Sequence, residues 1–368
     1  MLTGYRTSFW VRTNAYEVAA LLISLLNEDL NIKINTDFSL RTMPRSNSVF
    51  TFCLLWSFAS LSVSFRSGLH SYRESCRSIK NFRMSTIIQT EISQPEKAIF
   101  SNLDSSMFAH PLDKKTTSRL SSVPFIESIT RRLLGLAEKV AQLENLSSSV
   151  LVGPKQMSSI YTSLSVACKI LDMEEPEVYI KQNPVPNAYT LAIRGRKPFI
   201  VLHSSIVELL TEQELQAVIA HELGHLKCEH SVWITALNLI MIGASSVNDI
   251  LSLPLQSALY DWLRSAELSC DRAALLVSQD VNVVASVFMK LSGGPTNKVN
   301  EMNVDAYIEQ AENFNVEAKK LGARIISLGA DQVMSHPVPV VRVQELVKWS
   351  KSGEYIGLLR RAQAATKL

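Results

Sequence analysis

The sequence predicts an α+β protein, mainly helical, with a small β-sheet beside one central helix. Leu215, Val218, Ile219, Leu223 and Leu226 recur at helical spacing behind Thr211-Glu212-Gln213-Glu214, which reads as a capping box. Residues 177–180, 189–193 and 199–202 are short runs of strand-forming residues, and Gly195 lies between the last two as a hairpin requires. Beyond them helical patterns dominate to the end of the chain.

In chain order, three parts are expected: a presequence over 1–83, a polar linker and helical segment over 84–150, and a folded catalytic part over 151–368. Residues 38–85 hold twelve serines, and residues 38–83 hold seven basic residues against the single acid Glu74. That composition matches an organelle transit peptide. The apolar run 48–65 keeps a secretory signal or a short span as rivals, although Ser57, Ser60, Ser62 and Ser64 interrupt it. Synthesis is expected to begin at Met43; peptides from residues 12–33 in the native protein would refute that. From Met84 to about Ser122 the chain is polar and is expected to be loosely structured. Residues 125–146 and 156–171 follow as amphipathic helices. Residues 232–244 are apolar but short, favouring a buried core helix over a hairpin of 232–263 dipping into a membrane. Residues 300–368 read as a solvated helical scaffold.

The formal charge of +3 is concentrated in the presequence. Residues 1–37 sum to −1 and residues 38–83 to +6, which leaves −2 for the remainder. A nearly neutral folded part gives no basis for nucleic-acid binding. Five scattered cysteines (53, 76, 168, 228 and 270) do not form a disulfide framework, and Cys228 and Cys270 are read as packing residues.

His221-Glu222-Leu223-Gly224-His225 carries the chemistry. Histidines four apart share a helix face, so both rings can reach one metal ion, and Glu222 on an adjoining face can take a proton from water. The third ligand has two candidates. His230 lies five residues past His225, off the ligand face of a continued helix, and is expected to be solvated. The pattern with Gly three and His six residues after the second histidine is excluded, because Cys228 and Ser231 stand there. Glu267 is preferred: Glu267 and Asp271 share a helix face, so one can bind metal while the other orients a ligand histidine. A His, His, Glu set leaves the fourth zinc position open.

These residues, with His336-Pro337 and Arg342, resemble the zinc metallopeptidase family that contains HtpX and CAAX prenyl protease 1. Pro184 to Ala192, including Asn187-Ala188-Tyr189, is most similar to its plant and cyanobacterial branch. The resemblance covers roughly residues 100–368. It implies a zincin-like fold, one Zn²⁺ on His221, His225 and Glu267, and Glu222 as general base. It further implies Asp271 behind a ligand, His336 as donor to the tetrahedral oxyanion, and Asn187, Ala188 and Tyr189 on a strand lining the cleft. Polypeptide substrates, a plastid rather than a mitochondrial location, and association with a membrane follow as expectations, with the oligomeric state open. The competing functions are a silent, chaperone-like binder of the same fold and a zinc hydrolase acting on other bonds. Retention of Glu222 speaks against the first, and the extended Asn187 strand against the second.

Overall fold

Phe199-Ile200-Val201-Leu202 is an uninterrupted apolar run, and in the computed structural model it lies at the centre of the sheet. The structure describes residues 97–131, 143, 146–192, 197–247, 249–293, 298–321 and 338–366. Strand β4 (Phe199–His203) is buried at every position, as a strand covered on both faces must be. It pairs in parallel with β2 (Glu177–Lys181) and antiparallel with β3 (Ala188–Leu191). A two-residue β1 (Val150–Leu151) joins the far side of β2, giving the order β1-β2-β4-β3. The β3–β4 register sets Tyr189 opposite Val201, as the expected antiparallel pairing demands, while Ile193 and Gly195 lie outside the described residues.

The helices are α1 (Pro111–Ser121), α2 (Ser158–Leu171), α3 (Ser204–Leu209) and α4 (Glu212–Lys227). Then follow α5 (His230–Val247), α6 (Asp249–Ser278), α7 (Val281–Gly293), α8 (Val304–Leu321), α9 (Pro339–Ser350) and α10 (Gly353–Thr366). The anticipated capping box starts α4: Glu214 N–H donates to Thr211 Oγ1 (3.4 Å), and Thr211 N–H donates to Glu214 Oε2 (2.8 Å). Glu214 also accepts from Ser286 Oγ (2.5 Å) and Lys290 Nζ (2.6 Å) of α7. The start of α4 is thereby fixed to a neighbouring helix through a buried, fully hydrogen-bonded carboxylate. Ile219 and Leu223 of α4, Ile200 and Leu202 of β4, Leu164 and Leu171 of α2, and Leu275 of α6 meet in the core.

Two expectations need correction. Residues 97–122 are ordered rather than loose: Ala98, Phe100, Leu103 and Phe108 join the core, and α1 buries Asp113 and Leu120. The polar composition misleads because α1 is held by hydrogen bonds, among them His110 N–H to Ser269 Oγ (2.9 Å) and Arg272 Nη1 to the Phe108 carbonyl (3.0 Å). The described residues all fall in one contact unit, so residues 97–131 pack with the rest. His230 is the second correction, taken up below.

The helix expected over 125–146 is seen at 126–131; most of the remainder, like residues 1–96, lies outside the described residues. Residues 232–244 belong to α5, and Val232, Trp233 and Ala236 are buried, in keeping with a core helix. Among the described residues no helix is long and apolar enough to cross a membrane.

Candidate metal centre

Two helices make the site. On α4, His221 and His225 share a face with ring centroids 5.0 Å apart, one turn of helix, as their spacing requires. Helix α6 lies against α4 at Gly224, where an added Cβ would stand 3.0 Å from Cys270 Cα and 3.0 Å from Ala273 Cβ. That approach brings Glu267 between the two histidines: His221 Nε2 faces Glu267 Oε2 at 3.4 Å, and His225 Nε2 faces Oε1 at 3.6 Å. Tetrahedral zinc with bonds of about 2.1 Å sets its ligand atoms roughly 3.4 Å apart, so this donor set fits a single zinc ion. Glu222 is buried on the adjoining face of α4.

The other ring nitrogens are also engaged. His221 Nδ1 lies 3.1 Å from Asp271 Oδ1, and Arg342 of α9 braces that carboxylate with Nε to Oδ2 (2.8 Å) and Nη2 to Oδ1 (2.6 Å). Arg342 Nη2 also reaches Glu267 Oε2 at 3.2 Å, and its guanidinium lies 4.6 Å from the centre of the Phe288 ring. Burial pushes the Asp271 carboxyl up, but Arg342 and then His221 outweigh it and hold it below the usual range. Burial likewise works against protonation of His221, yet Asp271 and Glu267 prevail and raise its pKa to about 9.

Cys270 offers a competing donor, since its Sγ, together with one nitrogen each of His221 and His225, forms a group with all atoms within 4.8 Å. Burial drives its thiol well above the ordinary value, and a cysteine must lose its proton to bind metal, so the carboxylate is the better third donor. Cys228 is also buried, and burial raises its thiol too, as a packing role requires.

His230 departs from expectation. It is 1% exposed, with Nδ1 3.0 Å from His225 Nδ1 and Nε2 3.0 Å from Asp113 Oδ2. A continued helix would have pointed it away, but α4 ends at Lys227 and Glu229 takes a left-handed φ of 54°. The chain turns there and restarts as α5, which swings His230 back beneath His225. Asp113 had no signal in the linear pattern, being one acid in a polar stretch 108 residues before His221. Tyr189 and Ala188 lie half-buried on β3, which packs along α4, and Asn187 is exposed just ahead of it, its carbonyl accepting from His203 N–H (3.0 Å). Among the described residues β3 pairs with β4 only, so it forms an edge of the sheet. His336 and Pro337 lie outside the described residues.

A family model described as Peptidase family M48 matches residues 154–350, more than half of the chain. The chain is 49% identical over 269 residues to the plastoglobule-localised metallopeptidase 48, chloroplastic, of Arabidopsis thaliana, across 72% of this chain and 78% of that protein. The plastid location implied by the family resemblance is borne out by this relative. A protease HtpX homologue of Bacteroides fragilis is 29% identical over 134 residues, 36% of this chain and 40% of its own length. The solved structure of S. mikatae Ste24p aligns with 64% of this chain and 60% of its own at 17% identity and a TM-score of 0.35, too distant to carry a comparison. With the family model and the Arabidopsis relative in agreement with the motif that opens the site, this chain belongs to peptidase family M48 and is a metallopeptidase.

Proposed function

We propose that the chain is a plastid zinc endopeptidase that hydrolyses unfolded or damaged polypeptides. The observation that carries this reading is the convergence of His221 Nε2 and His225 Nε2 on the two oxygens of Glu267, with Glu222 buried alongside. His221, His225 and Glu267 would hold the ion. When bound, zinc supplies a Lewis acid able to bring the pKa of water to about 7. Glu222 accepts the proton of the attacking water on its carboxylate and passes it to the departing amine. Asp271, held by Arg342, fixes the His221 ring through Nδ1. His336 is proposed, on the family resemblance, as the donor to the tetrahedral oxyanion.

An edge strand next to the active-site helix supports an extended substrate. Residues 187–189 would bind a peptide main chain by adding it to the sheet, which gives affinity with little dependence on sequence. That fits unfolded chains better than one defined motif. The test is cleavage of a denatured protein by the purified, zinc-loaded chain beside its Glu222→Gln variant. Turnover lost by at least about 10²-fold, with zinc content unchanged, is expected. Zinc retained at one per chain in Glu267→Ala would remove Glu267 from the ligand set.

A further inference from the structure

The second nitrogen of His221 is served by Asp271, whereas that of His225 is served by His230 and, through it, by Asp113, which lies upstream of the family-matched residues. His225 Nδ1 faces His230 Nδ1 at 3.0 Å, and His230 Nε2 faces Asp113 Oδ2 at 3.0 Å. Asp113 is 2% exposed and stands on α1, upstream of residues 154–350. Its carboxylate also accepts from Ser269 Oγ (2.6 Å), Trp262 Nε1 (3.0 Å) and Thr117 Oγ1 (3.2 Å). With donors converging from α1, α5 and α6, Asp113 is a fixed acceptor. The His230 ring is further confined between His225 and the Trp262 ring, at centroid distances of 5.0 and 5.9 Å.

With both imidazoles neutral, and Cys270 Sγ as the other neighbour of His230 Nδ1 (3.5 Å), the arrangement leaves one placement of protons that satisfies both contacts of His230. Asp113 can only accept, so His230 donates from Nε2 and presents Nδ1 as an acceptor. His225 must then donate from Nδ1, which leaves its Nε2, the atom facing Glu267, without a proton as metal binding requires. We propose that Asp113 and His230 are positioning residues that hold His225 in this tautomer and orientation, so that α1 completes the metal centre. The proposal rests on His225 being a zinc ligand.

Zinc affinity of the full chain, measured by competition with a chromophoric chelator, tests it in Asp113→Asn, His230→Leu, the double variant, Cys228→Ala and His225→Ala, with thermal unfolding followed in parallel. Each of the first two is expected to weaken zinc binding by about 10–100-fold. Because the two act in series, the double variant should be little weaker than the worse single one. Cys228 shares the buried pocket, its Sγ within 4.8 Å of the facing Asp113 and His230 atoms, but lies outside the chain of bonds, so Cys228→Ala should bind zinc like the wild type. Wild-type affinity in Asp113→Asn and His230→Leu, or an equal loss in Cys228→Ala, would overturn the proposal while leaving the ligand set intact. Undiminished affinity in His225→Ala would instead overturn the ligand reading, and this proposal with it. Should the Asp113 variants fail to fold, nitrogen NMR of the zinc-loaded wild type decides: a proton on His230 Nε2 with Nδ1 bare is expected, and a proton on His230 Nδ1 overturns the proposal.

Discussion

Replacing Gly224 by Ala tests whether the spacing of two helices sets the metal site. The new methyl would meet Cys270 Cα and Ala273 Cβ at 3.0 Å and Cys270 Cβ at 3.3 Å. Carbon pairs settle near 3.5–4.0 Å, so α4 and α6 must part by about 0.5 Å, and the Cα of a buried helix cannot yield as a side-chain tip would. Over-packing of this kind costs about 1–3 kcal/mol, of which better helix propensity returns about 1 kcal/mol. The net loss of stability is therefore small. Function should suffer more, because Glu267 moves with α6 while both histidines move with α4. A displacement of 1 Å at a reacting centre costs about 10²-fold, so roughly half of that shift predicts a fall in kcat/KM on the order of tenfold, together with weaker zinc binding. The assay is kcat/KM on a denatured protein, with zinc affinity and unfolding midpoint measured on the same sample. Wild-type turnover and zinc affinity in a folded Gly224→Ala protein would refute the argument that this contact sets the ligand geometry.

Four further outcomes follow from the same contacts. Zinc must displace the proton that Asp271 and Glu267 hold on His221, so affinity should weaken about tenfold per pH unit below about 9, and a flat profile from pH 6 to 8 would contradict it. In the metal-free protein the same raised pKa contributes stability that is complete below about pH 6.5 and lost as pH rises through about 9, readable as a falling unfolding midpoint. Arg342→Met leaves Asp271 buried without its cation and should cost about 3–5 kcal/mol in urea unfolding; a loss below 1 kcal/mol would mean that the pair is not a structural brace. Thr211→Ala removes one half of the capping box and should cost about 1 kcal/mol, lowering the midpoint by about 2–4 °C without changing zinc content.

The sequence by itself determined what depends on short-range periodicity. His221, Glu222 and His225 are placed by the pitch of one helix, its start by the local bonds of Thr211 and Glu214, and the face shared by Glu267 and Asp271 by the pitch of another. The strands around 177–180 and 199–202 were legible because apolar, β-branched runs between turn residues have few alternatives. Tertiary structure decided what no period encodes. The distance from Glu267 to the histidines depends on how closely two helices pass at Gly224, and the bracing of Asp271 on where α9 delivers Arg342. His230 was misread because helical geometry was carried past Lys227, whereas one left-handed residue, Glu229, redirects the chain. Asp113 was invisible because a buried carboxylate is stabilised by donors from three helices far apart in sequence, and only folding brings them together.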